Sequence, residues 1–224
     1  LEEADLILCE DLRPARRLLH HLGITKELLP LNEHTHREAT AEALELLRDG
    51  KYLALISDAG TPLVSDPGHE LVRRAVAEGI SVTPLPGASS ILAALVVSGF
   101  PGNAFYFAGM LPRDKAERRS EARALAARAE TVLLLEAPYR LAQLLDDLVA
   151  AYGGHREACV AMELTTPEER IRRGSLLELQ EYFAEHPFKG EYVMVLRGAE
   201  RQARNRRDSG PGARPHHRHT RRRD

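Results

Sequence analysis

The sequence predicts an α/β protein with two α/β domains. Short apolar runs alternate with segments in which apolar residues recur at every third or fourth position, a spacing typical of helices that pack on a sheet. The alternation is interrupted between Ser98 and Met110, a stretch that holds four Gly or Pro residues. The predicted domains are therefore residues 1–100 and 101–198. Residues 199–224 form a basic tail that we expect to be disordered.

Strands and helices alternate in the first predicted domain. In order, its elements are strand Ala4–Cys9, helix Leu12–Leu22, helix Glu38–Arg48, strand Tyr52–Ile56, helix His69–Glu78, strand Ile80–Pro84 and helix Ser89–Val97. Gly23, Gly50 and Gly79 follow three of the helices, where glycine commonly ends a helix. This βαβ rhythm predicts a parallel sheet with crossover helices.

The second predicted domain has a different order of elements. They are strand Phe105–Phe107, helix Arg113–Ala129, strand Thr131–Leu135, helix Arg140–Tyr152, strand Glu157–Leu164, strand Ile171–Gly174, helix Ser175–His186 and strand Tyr192–Arg197. Two of these strands follow one another without a helix between them. This order favours a mixed sheet.

Composition and charge exclude several classes of protein. The net charge of −2 hides nine Arg after residue 199, and such a tail either contacts nucleic acid or is simply solvated. Two cysteines form neither a disulfide framework nor a zinc motif, so no metal is expected. No apolar run approaches the roughly 18 residues of a membrane span, and no signal peptide is recognised. We therefore expect a cytoplasmic protein without a membrane segment.

Two Gly- and Pro-containing loops follow predicted strands. Ser57–Pro62 comes after the strand at 52–56, and Pro86–Ser90 comes after the strand at 80–84. In open α/β sheets ligands bind beyond the carboxyl ends of the strands, and Gly60 would let a ligand approach the backbone closely. Neither loop fits a phosphate-binding or dinucleotide fingerprint. Ordinary turns between a strand and a helix are the alternative explanation.

A series of short motifs is more specific than either loop. They are CEDLR at 9–13, SDAGTPLVSDPG at 57–68, PGASS at 86–90, GMLP at 109–112, EAPYR at 136–140, ELT at 163–165 and KGE at 189–191. In this order and spacing the chain resembles the tetrapyrrole methylase superfamily, the class III methyltransferases. Within it, the match is to the branch that 2′-O-methylates a cytidine of 16S ribosomal RNA. The chain departs from that branch at Leu12, Thr35 and Tyr139, which replace Thr, Asn and His.

The resemblance implies a cofactor site between the two domains. The cofactor would be S-adenosylmethionine, and a further strand and a T-P-I-G-N loop would precede Leu1. Carried over to this sequence, the cofactor-binding residues are Asp58, Ala59, Gly60, Thr61, Val64, Ser89, Ser90, Ile91, Leu135, Met162, Leu164 and Glu191. For Met162, an ordinary core methionine is the alternative.

The resemblance also implies an RNA substrate and a homodimer. The substrate would be 16S ribosomal RNA or the assembled small ribosomal subunit, with Arg13, Arg140 and Lys189 binding phosphate. A ribose hydroxyl must lose its proton to act as a nucleophile. The candidate bases are Asp11, Glu33, His34 and Glu136. Of these, Asp11 and Glu136 are favoured as catalytic residues because each ends a strand inside a motif, although each could instead cap a helix or orient a neighbour.

Two other functions stay open from the sequence. A methylase acting on a porphyrin-like tetrapyrrole is one, although those relatives usually carry G-G-D-P where this chain has Gly60-Thr61-Pro62. A non-catalytic module that binds S-adenosylmethionine or RNA is the other. Cofactor titration distinguishes the module from both enzymes, and the identity of the methylated substrate distinguishes the two enzymes.

Overall fold

The computed structural model describes residues 1–199. Within that range the chain forms seven helices and eight strands. They are β1 (Leu6–Cys9), α1 (Leu12–Leu22), β2 (Glu27–Pro30), α2 (His36–Arg48), β3 (Leu53–Ile56), α3 (His69–Ala77), α4 (Ser90–Ser98), β4 (Phe105–Met110), α5 (Lys115–Ala126), β5 (Thr131–Leu135), α6 (Leu141–Tyr152), β6 (Glu157–Met162), β7 (Arg170–Ser175), α7 (Leu176–Glu185) and β8 (Tyr192–Leu196). The basic tail lies outside the described residues.

The first sheet is parallel and has the strand order β2-β1-β3. β1 is its buried centre, and its side chains alternate between two apolar clusters. Leu6 and Leu8 pack with residues of α2 and α3, whereas Ile7 packs with Leu19 of α1. The carboxyl ends of all three strands therefore lie at one edge, as predicted for crossover connections.

One predicted strand of this domain is wrong and another was missed. Residues 80–84 are not a strand, and Val82 is exposed. An extended segment is a strand only when a neighbour accepts and donates its backbone hydrogen bonds, and within residues 1–199 nothing pairs with this one. Glu27–Pro30 instead pairs with β1, although its short and only half-buried sequence gives little periodic signal.

The second sheet is mixed, as predicted, with the order β4-β5-β8-β6-β7. β4 and β5 are parallel, and the other neighbouring strands are antiparallel. Helices α5, α6 and α7 cover one face through a large apolar cluster that includes Leu134, Leu145 and Met194. Helix α4 covers the other face, where Ile91 and Leu95 pack with Val193. The two faces alternate along each strand, since successive side chains point to opposite sides.

The predicted α/β class with two sheets is confirmed. Helix α4 lies before the predicted boundary at residue 100 but packs on the second sheet. The division into residues 1–100 and 101–198 stays a prediction. Among the described residues, no helix has the length and apolar character needed to cross a bilayer.

Candidate functional site

The two Gly- and Pro-containing loops meet beside the second sheet. The Thr61 hydroxyl donates a hydrogen bond of 3.1 Å to the carbonyl oxygen of Ala88, which joins the first loop to the second. A Cβ atom added to Gly109 at the end of β4 would lie 4.0 Å from the Ser65 hydroxyl oxygen. The carboxyl edge of the first sheet, both loops and the end of β4 therefore surround one region.

The first loop has an unusual backbone. Leu63 and Ser65 adopt φ values of 71° and 67°, in the left-handed region that non-glycine residues rarely occupy. Gly68 has φ 116°, a conformation that L side chains rarely adopt, and a Cβ there would come within 2.7 Å of the Leu55 Cδ2 atom, so glycine is favoured. Such conformations cluster at ligand-binding sites because the surrounding structure must hold them.

A second strained loop follows β6. Glu163 and Thr165 have φ values of 48° and 67°, and with Leu63 and Ser65 they are all the non-glycine residues of positive φ in the described chain. The Glu163 carboxylate accepts a hydrogen bond of 3.0 Å from the Glu191 backbone N–H, and the Glu163 N–H donates to the Glu191 carbonyl oxygen at 2.9 Å. These bonds fix the exposed Glu191 beside Leu164.

The second Gly/Pro loop ends at the N-terminus of α4. Ser89 is the N-cap, and its hydroxyl accepts a hydrogen bond of 3.4 Å from the Leu92 N–H. Ser90 is exposed, and Ile91 is buried in the cluster that also contains Leu135 and Leu164. The structure thus brings Ile91 of α4, Leu135 of β5 and Leu164 of the loop after β6 into one apolar cluster beside the N-terminus of α4.

Carboxylates gather at the carboxyl edge of the first sheet. Burial raises the pKa of Glu10, and the negative charges of Asp66, Asp58, Asp11 and Glu33 raise it further. Burial also raises the pKa of Asp66, although a hydrogen bond from Ser57 opposes this, and Asp58 again adds to the rise. This edge is therefore strongly negative. Asp66 was expected only as a hydrogen-bonding group near the first loop, and neither it nor Glu10 is among the predicted site residues, although each lies in one of the quoted motifs.

Asp11 is exposed at this edge and caps α1. Its Oδ1 atom accepts a hydrogen bond of 2.8 Å from the Arg13 backbone N–H. The Arg13 side chain is exposed on the first turn of α1. Asp11 therefore combines a structural contact with access to a bound substrate, so capping and catalysis are compatible roles for it.

Glu136 follows β5 and is only 4% exposed. Its Oε1 atom accepts one hydrogen bond of 2.8 Å from the Ala137 N–H and pairs with the Arg140 guanidinium at 3.1 Å. Its Oε2 atom is buried without a hydrogen-bond partner in the described structure, as is the Tyr192 hydroxyl. Burial, and then the charge of Glu136, raise the pKa of Tyr192. Arg140, a predicted phosphate ligand, is thus largely buried in an ion pair.

Met162 lies apart from the other predicted cofactor residues. Its side chain packs in the cluster beneath α5, α6 and α7, on the face of the second sheet opposite Leu135 and Leu164. Lys189 is exposed, and the next residue, Gly190, donates a backbone hydrogen bond of 3.4 Å to the Pro138 carbonyl oxygen. In residues 1–199 no group of three or more His, Cys, Asp or Glu side chains could hold a metal ion.

Comparison with known proteins identifies the family. A family model described as Tetrapyrrole (Corrin/Porphyrin) Methylases matches residues 1–180. The chain belongs to the tetrapyrrole methylase family. Membership confirms the predicted superfamily and the predicted methyltransferase class. The matched residues include both Gly/Pro loops, Asp11 and Glu136.

Two curated proteins are similar over most of the chain. A protein named ribosomal RNA small subunit methyltransferase I from Mesorhizobium japonicum is 44% identical over 205 residues, which is 91% of this chain and 69% of that protein. A protein of the same name from Xylella fastidiosa is 45% identical over 201 residues, which is 89% of this chain and 74% of that protein.

A solved structure supports the fold. The uroporphyrin-III C-methyltransferase from Thermus thermophilus, in complex with S-adenyl homocysteine, superposes with a TM-score of 0.60. It is 21% identical, and the alignment covers 88% of this chain and 87% of that one. At this level of identity the likeness concerns the fold alone.

Proposed function

We propose that this protein uses S-adenosylmethionine to methylate the 2′-hydroxyl of a cytidine in the 16S ribosomal RNA of the small subunit. The observation that carries the proposal is the identity of 44–45%, over about nine tenths of the chain, to proteins named ribosomal RNA small subunit methyltransferase I. The nucleotide and its 2′-oxygen come from the resemblance of the motifs. The assembled subunit is included as a substrate on the same ground.

The site fits the proposed cofactor in three respects. Leu135 and Leu164, which are partly exposed beside the buried Ile91, offer an apolar surface of the kind that an adenine ring requires. The N–H groups at the N-terminus of α4 suit a carboxylate, because a helix N-terminus attracts negative charge. The carboxylates around Glu10 and Asp58 suit a group that carries a sulfonium and an ammonium.

The remaining predicted cofactor residues surround these groups. Those of the strained first loop are exposed to solvent: Asp58, Ala59, Gly60, Thr61 and Val64. Glu191 is exposed and fixed by Glu163. Met162 supports the same edge from the opposite face of the sheet. We propose that it acts through packing and does not touch the cofactor.

When bound, the cofactor supplies an electrophilic methyl group on sulfur. The protein must then orient the ribose hydroxyl, exclude water and accept one proton. Of the two carboxylates predicted to be catalytic, only Asp11 is exposed, and Glu136 Oε2 is closed off from solvent. We therefore propose that Asp11 accepts the proton of the ribose hydroxyl. Glu136 is assigned a positioning role, because it holds Arg140 at the start of α6.

We also propose that the protein is a homodimer, as the resemblance implies. Helix α4 leaves Leu92 53% and Val96 79% exposed, one turn apart, on the side away from the second sheet. An apolar pair of this kind is typical of a surface that another chain covers. Light scattering after size exclusion should give twice the chain mass, and Val96→Asp should give the monomer. A monomeric wild type would contradict the proposal.

Cofactor titration tests the site directly. Calorimetry with S-adenosylmethionine should show one site per chain in the protein expressed from its complete gene. Thr61→Val removes the hydroxyl that joins the two loops and should weaken binding by about tenfold, the value of one hydrogen bond. Thr25→Val, at an exposed position outside the site, is the matched control. Equal affinity for both variants would contradict the assignment of the loops.

A further inference from the structure

A cavity of about 390 Å³ opens between β7 and the C-terminal end of α7. Its lining includes Arg170, Arg172, Tyr182, His186 and Phe188, and no acidic residue lines it. The cavity plays no part in the site described above. Its composition, cationic and aromatic together, differs from the negative edge of the first sheet.

The planar side chains of the cavity form a stack. The Arg172 guanidinium carbon lies 3.6 Å from the centre of the Tyr182 ring. The Tyr182 ring is also stacked with the His186 ring, with centroids 4.4 Å apart and planes 14° from parallel. Arg170 lies 5.4 Å from the centre of the Phe188 ring. The cavity therefore presents flat aromatic surfaces with two guanidinium groups held above them.

Regular secondary structure places these groups. Arg170 and Arg172 are two residues apart in the edge strand β7, so they point to the same face. Tyr182 and His186 are four residues apart at the end of α7, so they lie on the same side of the helix. The His186 Nδ1 atom lies 3.0 Å from the Tyr182 carbonyl oxygen, which fixes the imidazole. The stack is thus built before any ligand binds.

The cavity lies at the edge of the second sheet where β6 ends and where β7 and β8 begin, which is also the edge at which β5 ends. Met162 lines the cavity and is paired in register with Arg170 on one side and Tyr192 on the other. Phe188, which also lines it, directly precedes the exposed Lys189. A chain of nucleotides passing from the candidate site along this edge would therefore meet Lys189 and then the cavity.

We propose that this cavity binds one nucleotide of the RNA substrate, outside the position that is methylated. The base would stack on His186 or Phe188, and its phosphates would contact Arg170 and Arg172. Stacking on aromatic side chains and pairing of guanidinium with phosphate are the two interactions by which proteins bind single-stranded RNA. The inference rests on the proposed function, because it assumes an RNA substrate.

Direct binding tests this inference without methyl transfer. The affinity of the protein for a short fluorescein-labelled single-stranded RNA would be measured by anisotropy over a range of salt concentrations, without cofactor. His186→Ala should weaken binding about tenfold, the usual effect of losing one stacking surface. Arg172→Ala should lower the slope of log affinity against log salt by about 0.7, as for one phosphate contact on a single strand.

Matched variants separate the cavity from general charge effects. His155→Ala and Arg123→Ala make the same chemical changes at exposed positions away from the cavity, and both should bind RNA like the wild type. The arginine-rich segment after residue 199 is present in every variant, so any contribution it makes to RNA affinity is the same in all of them. If the cavity variants match these controls in affinity and salt slope, the inference is wrong.

Methyl-transfer assays distinguish this failure from failure of the proposed function. If the wild type methylates RNA, the cavity variants should raise KM about tenfold with kcat unchanged, because they alter binding away from the reacting atoms. A wild type that binds RNA through the cavity but transfers no methyl group to it would overturn the proposed function alone. A wild type that methylates RNA, with cavity variants of unchanged KM, would overturn the inference alone.

Discussion

A buried ionic cluster joins α5 to α6, and removing one charge from it should strongly destabilise the fold. Arg118 and Asp147 are 2% and 3% exposed, and their side chains lie 2.6 Å apart. Arg119 pairs with the other oxygen of the same carboxylate at 3.1 Å but is 46% exposed. Arg118 also donates to the Arg113 carbonyl oxygen at 2.9 Å. The cluster therefore fixes the start of α5, next to the end of β4.

The expected magnitude follows from this geometry. Asp147→Asn keeps the shape but leaves the Arg118 charge buried and unneutralised, which costs about 3–5 kcal/mol. A chain of this size loses about 2–4 °C in Tm for each kcal/mol, so Tm should fall by about 6–20 °C. Arg119→Ala removes an exposed partner and should cost at most about 1 kcal/mol. The double variant Arg118→Met, Asp147→Leu removes both buried charges, so its Tm should be close to that of the wild type.

Thermal unfolding followed by far-UV circular dichroism measures these differences. Burial alone would raise the pKa of Asp147, but the hydrogen bonds and charges of Arg118 and Arg119 outweigh it and lower that pKa. The stabilisation is therefore present above the unfolded-state pKa and is lost as the pH falls through the folded-state pKa. The deficit of Asp147→Asn should be largest near neutral pH and shrink in acid. If the Tm of Asp147→Asn lies within about 2 °C of the wild-type Tm at neutral pH, the reasoning is refuted.

Three further predictions concern the candidate site. Asp11→Asn keeps a good helix cap and should leave Tm unchanged, but should lower methyl transfer by about 10²- to 10⁴-fold if Asp11 accepts the proton. Asp66→Asn should raise Tm at neutral pH and not in acid. The folded-state pKa of Asp66 is raised, so the folded protein is destabilised as the pH rises through that pKa and the Asp66 carboxyl ionises. Gly68→Ala should lower Tm and weaken cofactor binding, because its Cβ would meet Leu55.

Each of these predictions has a matched control. Asp114→Asn makes the same change at the N-cap of α5, and activity equal to that of Asp11→Asn would remove the catalytic role from Asp11. Glu2→Gln is an exposed control for Asp66, and a Tm gain of the same size in both would show a general charge effect. Gly50→Ala also has positive φ but an open Cβ position. If it costs as much as Gly68→Ala, the contact with Leu55 is not the cause.

The sequence predicted most strands and helices because most of them bury a periodic apolar face. β8 and β5 are continuous apolar runs and were placed within one or two residues. Residues 80–84 have the composition of a strand but no hydrogen-bonding neighbour among residues 1–199. Pairing is a tertiary property, and local sequence does not report it.

The sequence located the candidate site better than it assigned individual roles. The spacing of the motifs assigned both Gly/Pro loops to one cofactor site, and Thr61 and Ala88 do join them. The rule that ligands bind beyond strand ends applies only to the first loop, because in the described chain the second comes after α3 and not after a strand. Met162 and Leu164 are two residues apart but lie on opposite faces of the second sheet, because β6 ends at Met162 and Glu163, with positive φ, breaks the alternation. Arg140 was predicted to bind phosphate, but its guanidinium pairs with Glu136 across the turn that precedes α6, a contact that only the folded backbone defines.

The most direct test of the proposed function is the destination of the methyl group. The protein expressed from its complete gene would be incubated with methyl-labelled S-adenosylmethionine and, in parallel, with unmodified small ribosomal subunits, free 16S ribosomal RNA and uroporphyrinogen. Nuclease digestion and mass spectrometry would then locate the label. We predict label on the ribose of a single cytidine of the RNA and none on the tetrapyrrole. Label on uroporphyrinogen, or on a base in place of a ribose, would contradict the proposed function.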